Sequence, residues 1–295
     1  MFQFRSFAQV LVLVLSLWSG SDLCAEPVAL RIVAANLTSD RYQVYSPDNG
    51  NQSNPEGAGA RILKALKPDV VLIQEFNTSI PMRQWVNATF GEEFQFFVEP
   101  GVGIPNGVIS RFPIVASGEW EDVDMENRDF AWVRIRLPNE RNLWAVSVHL
   151  KAGGGERDVA RRHRQTKALM AQIQAEIPTG DLVVLGGDLN TQNREEDCLK
   201  ELGALFSTAE PHPFDQAGNG NTNKLRVAPY DWVLADGDLH AFSAPTVFAG
   251  DKFPSGLVFD TRVFEPISEA FPAQTGDSGF QEMQHMAVAR DFSIP

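Results

Sequence analysis

The sequence predicts an α/β sandwich with mixed β-sheets. Apolar, partly β-branched runs of strand length outnumber the amphipathic helical stretches, and the two kinds interleave along the chain. Several of the strand runs also begin or end on a polar residue of the kind that does chemistry. A strand buried on both faces has no wet side, so its polar residues collect at its ends.

Taken in order, Leu30-Arg-Ile-Val-Ala-Ala-Asn36 reads as a strand closing on an amide. A loop over 37–57, rich in Asn, Ser, Asp, Pro and Gly, leads to a short amphipathic helix at 58–66, which Pro68 ends. Asp69-Val-Val-Leu-Ile-Gln-Glu75 is a second buried strand and delivers Glu75 at its end. A helix at 82–89 precedes strands at 94–98, 107–110, 115–120, 130–137 and 143–149, the last closing on His149. The longest helix spans 157–177 and breaks at Pro178-Thr-Gly180. Next come the strand entering Asp188, a helix near 195–202, a Gly/Asn/Pro-rich loop to Pro229, and a strand at 230–235. The stretch 236–282 reads as irregular, and 286–292 as a closing strand.

No Pro/Ser linker divides the chain after residue 25, and the polar strand ends from Asn36 to His285 make sense only if they meet. Residues 26–295 are therefore expected to form one domain. Residues 1–25 read as a signal peptide: Arg5 supplies the positive end, 7–18 the apolar stretch, and Ala25 the last residue before cleavage. An exported protein, periplasmic or secreted, is expected. No second hydrophobic segment follows residue 25, so stable membrane association is not expected, and no obligate protein partner is evident. Asn-x-Ser/Thr triplets begin at Asn36, Asn51, Asn77 and Asn87. A glycan on those near the polar strand ends would obstruct them, which favours a bacterial source. Cleavage after Ala25 leaves Cys198 without a disulfide partner in the chain. Its acidic surroundings, Glu195-Glu-Asp-Cys198, raise a thiol pKa rather than activate it.

The most informative segment is Leu182-Val-Val-Leu-Gly-Gly-Asp-Leu-Asn190. Gly186 and Gly187 are read as a turn that presents Asp188 and Asn190, two positions apart, to one small group. A carboxylate that can deprotonate water beside an amide that can donate to an oxyanion suits phosphoryl chemistry. Pro68-Asp-Val-Val-Leu-Ile-Gln-Glu75, Asn106-Gly-Val-Ile-Ser-Arg-Phe-Pro113, Val146-Ser-Val-His-Leu150 and Tyr230-Asp-Trp-Val233 accompany it. In this order the five motifs resemble the endonuclease/exonuclease/phosphatase superfamily, over essentially the whole of 26–295. The resemblance implies a deoxyribonuclease I-like four-layer α/β sandwich, two packed mixed β-sheets flanked by helices, with the cleft at one edge.

It also implies roles. Glu75, with Asn36 beside it, would hold Mg²⁺ or Mn²⁺, for which carboxylate and amide oxygens are suitable hard donors. Asp188 would orient or deprotonate the attacking water, and Asn190 would hold that water or a phosphoryl oxygen. Asp231 and His285 would form a hydrogen-bonded pair favouring imidazolium. His149 would contact phosphoryl oxygens or assist the leaving group. The family closes with Ser-Asp-His, whereas this chain reads Met283-Gln-His285. Gln284 loses a charge there, and Asp277 is the acid that could swing in from a nearby loop.

The net charge of −13 argues against a dedicated polyanion binder. The basic run Arg157, Arg161, Arg162, His163, Arg164 and Lys167 reads as solvated surface, because helical spacing places Arg157, Arg161 and Arg164 opposite the apolar stripe Val159, Met170, Ile173 and Ile177. The expected substrate is thus a small phosphate ester, a nucleotide or a lipid headgroup. A secreted nuclease acting on DNA or RNA is the alternative, and an inactive module that holds a phosphorylated ligand is a third.

Overall fold

The computed structural model describes residues 26–40, 44–46, 56–77 and 80–295; the expected signal segment lies outside them. In chain order the elements are β1 (Val28–Asn36), α1 (Ala58–Leu66), β2 (Val70–Gln74), α2 (Met82–Thr89), β3 (Gln95–Val98), β4 (Gly107–Ser110), β5 (Ile114–Trp120), β6 (Phe130–Arg136) and β7 (Asn142–His149). Then come α3 (Glu156–Glu176), β8 (Leu182–Asp188), α4 (Asp197–Leu202), β9 (Asp231–Ala235), α5 (Gly237–His240), β10 (Ser243–Ala244), β11 (Thr246–Phe248), β12 (Asp251–Phe253), β13 (Leu257–Phe259) and β14 (Ala287–Ile294). One sheet runs β10-β14-β1-β2-β4-β3 with β13 also on β14, and the second runs β5-β6-β7-β8-β9.

Strand alternation makes the four layers. In β1 and β2, Ile32, Ala34, Val70 and Leu72 face the inter-sheet core together with Val133, Leu143, Ala145, Leu182 and Val184. Their neighbours Val33, Ala35, Val71 and Ile73 pack on the other side against Ile62, Leu63 and Leu66 of α1 and Trp85 of α2. On the outer face of the second sheet, Val183 and Leu185 meet Leu169, Met170 and Ile173 of α3 and Leu199 and Leu202 of α4. Each central strand is thus buried on both faces, as the continuous apolar runs require.

Strand direction brings the polar ends to one edge. β1 and β2 run parallel and end at Asn36 and Gln74, while antiparallel β14 begins at that edge, two residues after His285. In the second sheet β7 and β8 are parallel with His149 opposite Asp188, and antiparallel β9 places Asp231 opposite Asp188.

Four readings of the sequence are corrected. Gly186 and Gly187 do not turn; both are paired residues of β8. Their smallness serves close packing of the sheets. A Cβ on Gly186 would lie 2.8 Å from Leu72 Cδ1, and one on Gly187, whose φ is +124°, would overlap Gln74 Nε2 and the Val148 carbonyl. Gln74, wholly buried, donates to Ser147 Oγ at 2.9 Å and so ties the sheets together beneath the polar edge. Gly187→Ala is expected to lower unfolding free energy by about 2–4 kcal/mol, from backbone strain plus overpacking. An unchanged urea midpoint would refute that account.

Second, the stretch 236–282 is not irregular: it holds α5 and β10 to β13, strands of two or three residues, too short to show periodicity. Third, Arg162 is not on the solvated face of α3. Its side chain is fully buried, with Nε and Nη2 both 2.8 Å from the Glu196 carboxylate. Fourth, Asp277 does not swing into the cleft; it is buried in an ion pair with Arg61 of α1. Asn36 is also fully buried, so its triplet is no glycan acceptor in the folded chain.

Candidate active site

The seven expected residues Asn36, Glu75, His149, Asp188, Asn190, Asp231 and His285 lie at one sheet edge, and five of them surround a single atom, Asp188 Oδ2, or touch its neighbours. Asn36 Nδ2 donates to that oxygen at 3.0 Å and to Glu75 Oε1 at 3.2 Å. His149 Nε2 lies 3.4 Å from Asp188 Oδ2 and 3.8 Å from Glu75 Oε1. His285 Nε2 lies 3.7 Å from the same Asp188 oxygen, and its Nδ1 is 3.0 Å from Asp231 Oδ2. Asn190 closes the ring: its backbone N–H donates to Asp188 Oδ1 at 2.9 Å and its Nδ2 to the Leu150 carbonyl at 3.2 Å. Asn190 and Glu75 both take φ near +55° (53° and 56°), so each leaves its strand through a left-handed turn. Local backbone strain of this kind is tolerated where the surroundings fix it.

Electrostatics separate the two histidines. Burial drives the His149 imidazole well below its ordinary pKa, and the charges of Arg128 and His285 add to that. A neutral ring whose Nε2 faces two carboxylates carries its proton there, leaving Nδ1, which has no hydrogen-bond partner among the described residues, as the ring's lone-pair nitrogen. At His285 burial also acts downward, but the charges of Asp231 and Asp188 and the Asp231 hydrogen bond outweigh it, and the pKa rises to about 9. Burial pushes the Asp188 carboxyl up to about 7 against the pull of His285. Because the folded pKa of His285 exceeds its unfolded value of 6.5, its contribution to stability is full below pH 6.5 and is lost as pH rises through 9. In metal-free protein, an NMR titration should find His285 still protonated at pH 8. Asp231→Asn should bring its midpoint down toward the ordinary imidazole range, and an unmoved midpoint would refute the pairing.

The donor set fits a hard divalent cation. Asp188, Asp231 and His285 offer ligand atoms within 4.8 Å of one another, His285 only once it gives up its proton, and among the described residues the buried Asp231 Oδ1 has no hydrogen-bond partner. Glu75 is the more open carboxylate, 22% exposed, with Oε2 accepting from Ser39 Oγ at 2.7 Å. Asn36 directs N–H, not oxygen, at the carboxylates, because Oδ1 takes the Thr38 N–H at 2.8 Å. Ligation through its oxygen requires the carboxamide to turn over. Gln284 is exposed, between buried Met283 and buried His285.

Sequence reasoning missed Arg128. It is buried beside the cluster, where its guanidinium donates to the carbonyls of His149 and Leu150 and feels the charges of Asp188 and Glu75. One arginine before an apolar strand carries no distinguishing signal. Ser39 and Thr222, whose Oγ1 accepts the Asp231 N–H at 2.7 Å, were equally invisible as loop residues. Cys198 is buried and its thiol is pushed up to about 12 by burial and Glu196, so it is inert as a nucleophile.

A family model described as Endonuclease/Exonuclease/phosphatase family matches residues 51–254. Among solved structures, D. rerio TDP2 complexed with single strand DNA product is similar at a TM-score of 0.59 and 16% identity, covering 90% of this chain and 99% of that one. An endonuclease/exonuclease/phosphatase from Beutenbergia cavernae is similar at 0.57 and 16%, covering 90% and 72%. Beta toxin from Staphylococcus aureus is similar at 0.51 and 14%, covering 90% and 99%. No curated protein matches the chain by sequence. At such identities the structural likeness establishes the fold, two mixed sheets with flanking helices, and the family model does the rest. The chain belongs to the endonuclease/exonuclease/phosphatase family, whose members are generally metal-dependent phosphoester hydrolases.

Proposed function

We propose that the protein is an exported, divalent-metal-dependent phosphoesterase, acting on a small phosphate ester, a nucleotide or a lipid headgroup. The observation that carries this reading is the convergence of Asn36, His149 and His285 on Asp188 Oδ2, with Glu75 and Asp231 one contact away. Mg²⁺ or Mn²⁺, held by Glu75 with Asn36 beside it, would polarise the phosphoryl group and neutralise developing charge. Asp188 takes the proton of the attacking water. Asn190 holds the water or a phosphoryl oxygen from the adjacent turn. His285, kept as imidazolium by Asp231, stabilises charge on the phosphoryl oxygens, and neutral His149 offers its Nε2–H to the same group.

The preference for a small substrate rests on how the cations of α3 are occupied. Arg161 and Arg164 reach Asp124, Arg162 is buried on Glu196, and His163 faces Glu201. With four of the six basic residues of the run facing acids, and Arg157 and Lys167 left exposed, the helix makes a poor track for a phosphate backbone. The nuclease reading is kept alive by the single-strand DNA product bound to the D. rerio protein. Salt separates the two, because nucleic-acid turnover weakens steeply with ionic strength while small-ester hydrolysis does not. The decisive assay is hydrolysis of bis-p-nitrophenyl phosphate with Mg²⁺ or Mn²⁺, repeated after EDTA and extended to nucleotides, DNA, sugar phosphates and phospholipids. Absence of metal-stimulated turnover on every member would end the proposal and favour the inactive binding module.

A further inference from the structure

Apart from Arg290, the buried arginines have carboxylates at hand, Arg128 through the nearby charges of Asp188 and Asp122 and the rest by direct pairing. Arg61 has Asp277, Arg162 has Glu196, and the nearly buried Arg226 has both Asp215 and Asp260. Arg290 breaks the pattern. It is only 9% exposed, it projects from β14, and Nη1 donates to the Val233 carbonyl of β9 at 3.1 Å while Nη2 donates to Ser243 Oγ at 3.2 Å. Among the described residues no carboxylate pairs with it, and burial alone pulls its pKa down to about 10. An ionised group held in that state is costly without a counter-charge.

Arg290 lines a small cavity of about 30 Å³ behind the loop that follows α4. Arg194 lines it too. Its Nη2 donates to the Gly220 carbonyl at 2.9 Å, its Nη1 reaches Asn221 Oδ1 at 3.4 Å, and its buried Nε has no hydrogen-bond partner among the described residues. Glu195 and Glu210 act on Arg194 only through their charge, and both are exposed. His212, in the same wall, packs edge-on against Trp232 with ring centroids 5.5 Å apart. After burial, the charge of Arg194 is the main influence holding that imidazole neutral, and Arg290 adds to it. Both guanidinium groups thus act on one imidazole of the same lining through their charge, against the opposing charges of Glu210 and Glu195. Asp231 is the acid in the lining, and its charge is already engaged by His285.

We infer that this pocket is a binding site for a small tetrahedral oxyanion of the phosphate class. Guanidinium forks match oxyanions by paired N–H donation, which a point charge such as chloride does not use. Arg290 supplies an unneutralised charge, Arg194 a second guanidinium in the wall, and Trp232 and the flanking prolines an apolar surface that limits size. The site lies against Asp231, so an anion there would be felt by the Asp231–His285 pair.

The test is titration of the full-length protein with inorganic phosphate in metal-free buffer, read by thermal shift and calorimetry at constant ionic strength. Saturable binding is expected, at least tenfold weaker in Arg194→Gln and unchanged in Glu75→Gln. Arg194→Lys, which keeps the charge and loses the fork, should weaken it at least threefold. It serves as the working variant if Arg194→Gln melts without cooperativity. Phenyl phosphate reports the source of the group: equal binding supports a phosphate borne on an ester, and exclusion supports the free ion. Wild-type affinity in both Arg194 variants would overturn the inference. So would loss of binding in Glu75→Gln alone, which would seat the anion at the catalytic edge, or an equal response to chloride.

Discussion

Asp188→Asn should reduce metal-stimulated hydrolysis of bis-p-nitrophenyl phosphate by about 10³- to 10⁴-fold, the range expected when a general base is removed from the reacting centre. The substitution is nearly isosteric. An amide oxygen at Oδ1 still accepts the Asn190 N–H, so the turn that follows β8 keeps its anchor. What disappears is the charge on which the amide of Asn36 and the rings of His149 and His285 converge. A neutral oxygen cannot take a proton from water, and His285 loses one of the two carboxylates that hold it as imidazolium. The melt should stay cooperative at a lower midpoint, because the amide nitrogen that replaces Oδ2 faces the N–H donors of Asn36 and His149. The result to look for is a collapse of kcat with an intact cooperative melt. Activity within tenfold of wild type would remove Asp188 from the base role and with it the proposed chemistry.

Much of this site was legible in the sequence because strand physics forces it to be. Segments such as Val70–Gln74 and Leu182–Asp188 are apolar throughout since both faces are buried, so a polar residue at the boundary stands out. The topology then gathers those boundaries: parallel pairs bring Asn36 with Glu75 and His149 with Asp188. What could not be read was anything set by packing between sheets. The glycines before Asp188 look like a turn from sequence, yet their absent side chains are required by Gln74, Leu72 and Trp232 from other strands. Asp277 looked like a mobile acid because its partner Arg61 is 216 positions away. The strands β10 to β13 owe their existence to β14 and to one another, not to any pattern of their own. Arg128 hid for the same reason, since its contacts are main-chain carbonyls and leave no mark in composition.

Arg162→Met should destabilise the fold by about 3–5 kcal/mol, the cost of leaving a buried charge without its partner. Arg162 stands among five other basic residues of the run, and composition alone does not distinguish it from Arg161 or Arg164, which do reach solvent and pair with Asp124. The difference lies in what α3 packs against. Arg162 Nη1 donates to the carbonyls of Lys151 and Gly153, just after His149, at 2.8 and 2.7 Å, while its fork holds Glu196. Glu196 Oε1 in turn accepts the Gln192 N–H at 2.7 Å, two residues beyond Asn190. One guanidinium thus braces the two segments that follow His149 and Asn190. Its loss should raise KM and lower kcat together, since both side chains would be held less firmly, even at temperatures where the variant remains folded. Adding Glu196→Leu should recover stability, because the stranded carboxylate is then gone, but should not restore the brace. Urea denaturation of the single and double variants decides the matter. A double variant no more stable than the single one would show that the buried carboxylate is not the source of the loss.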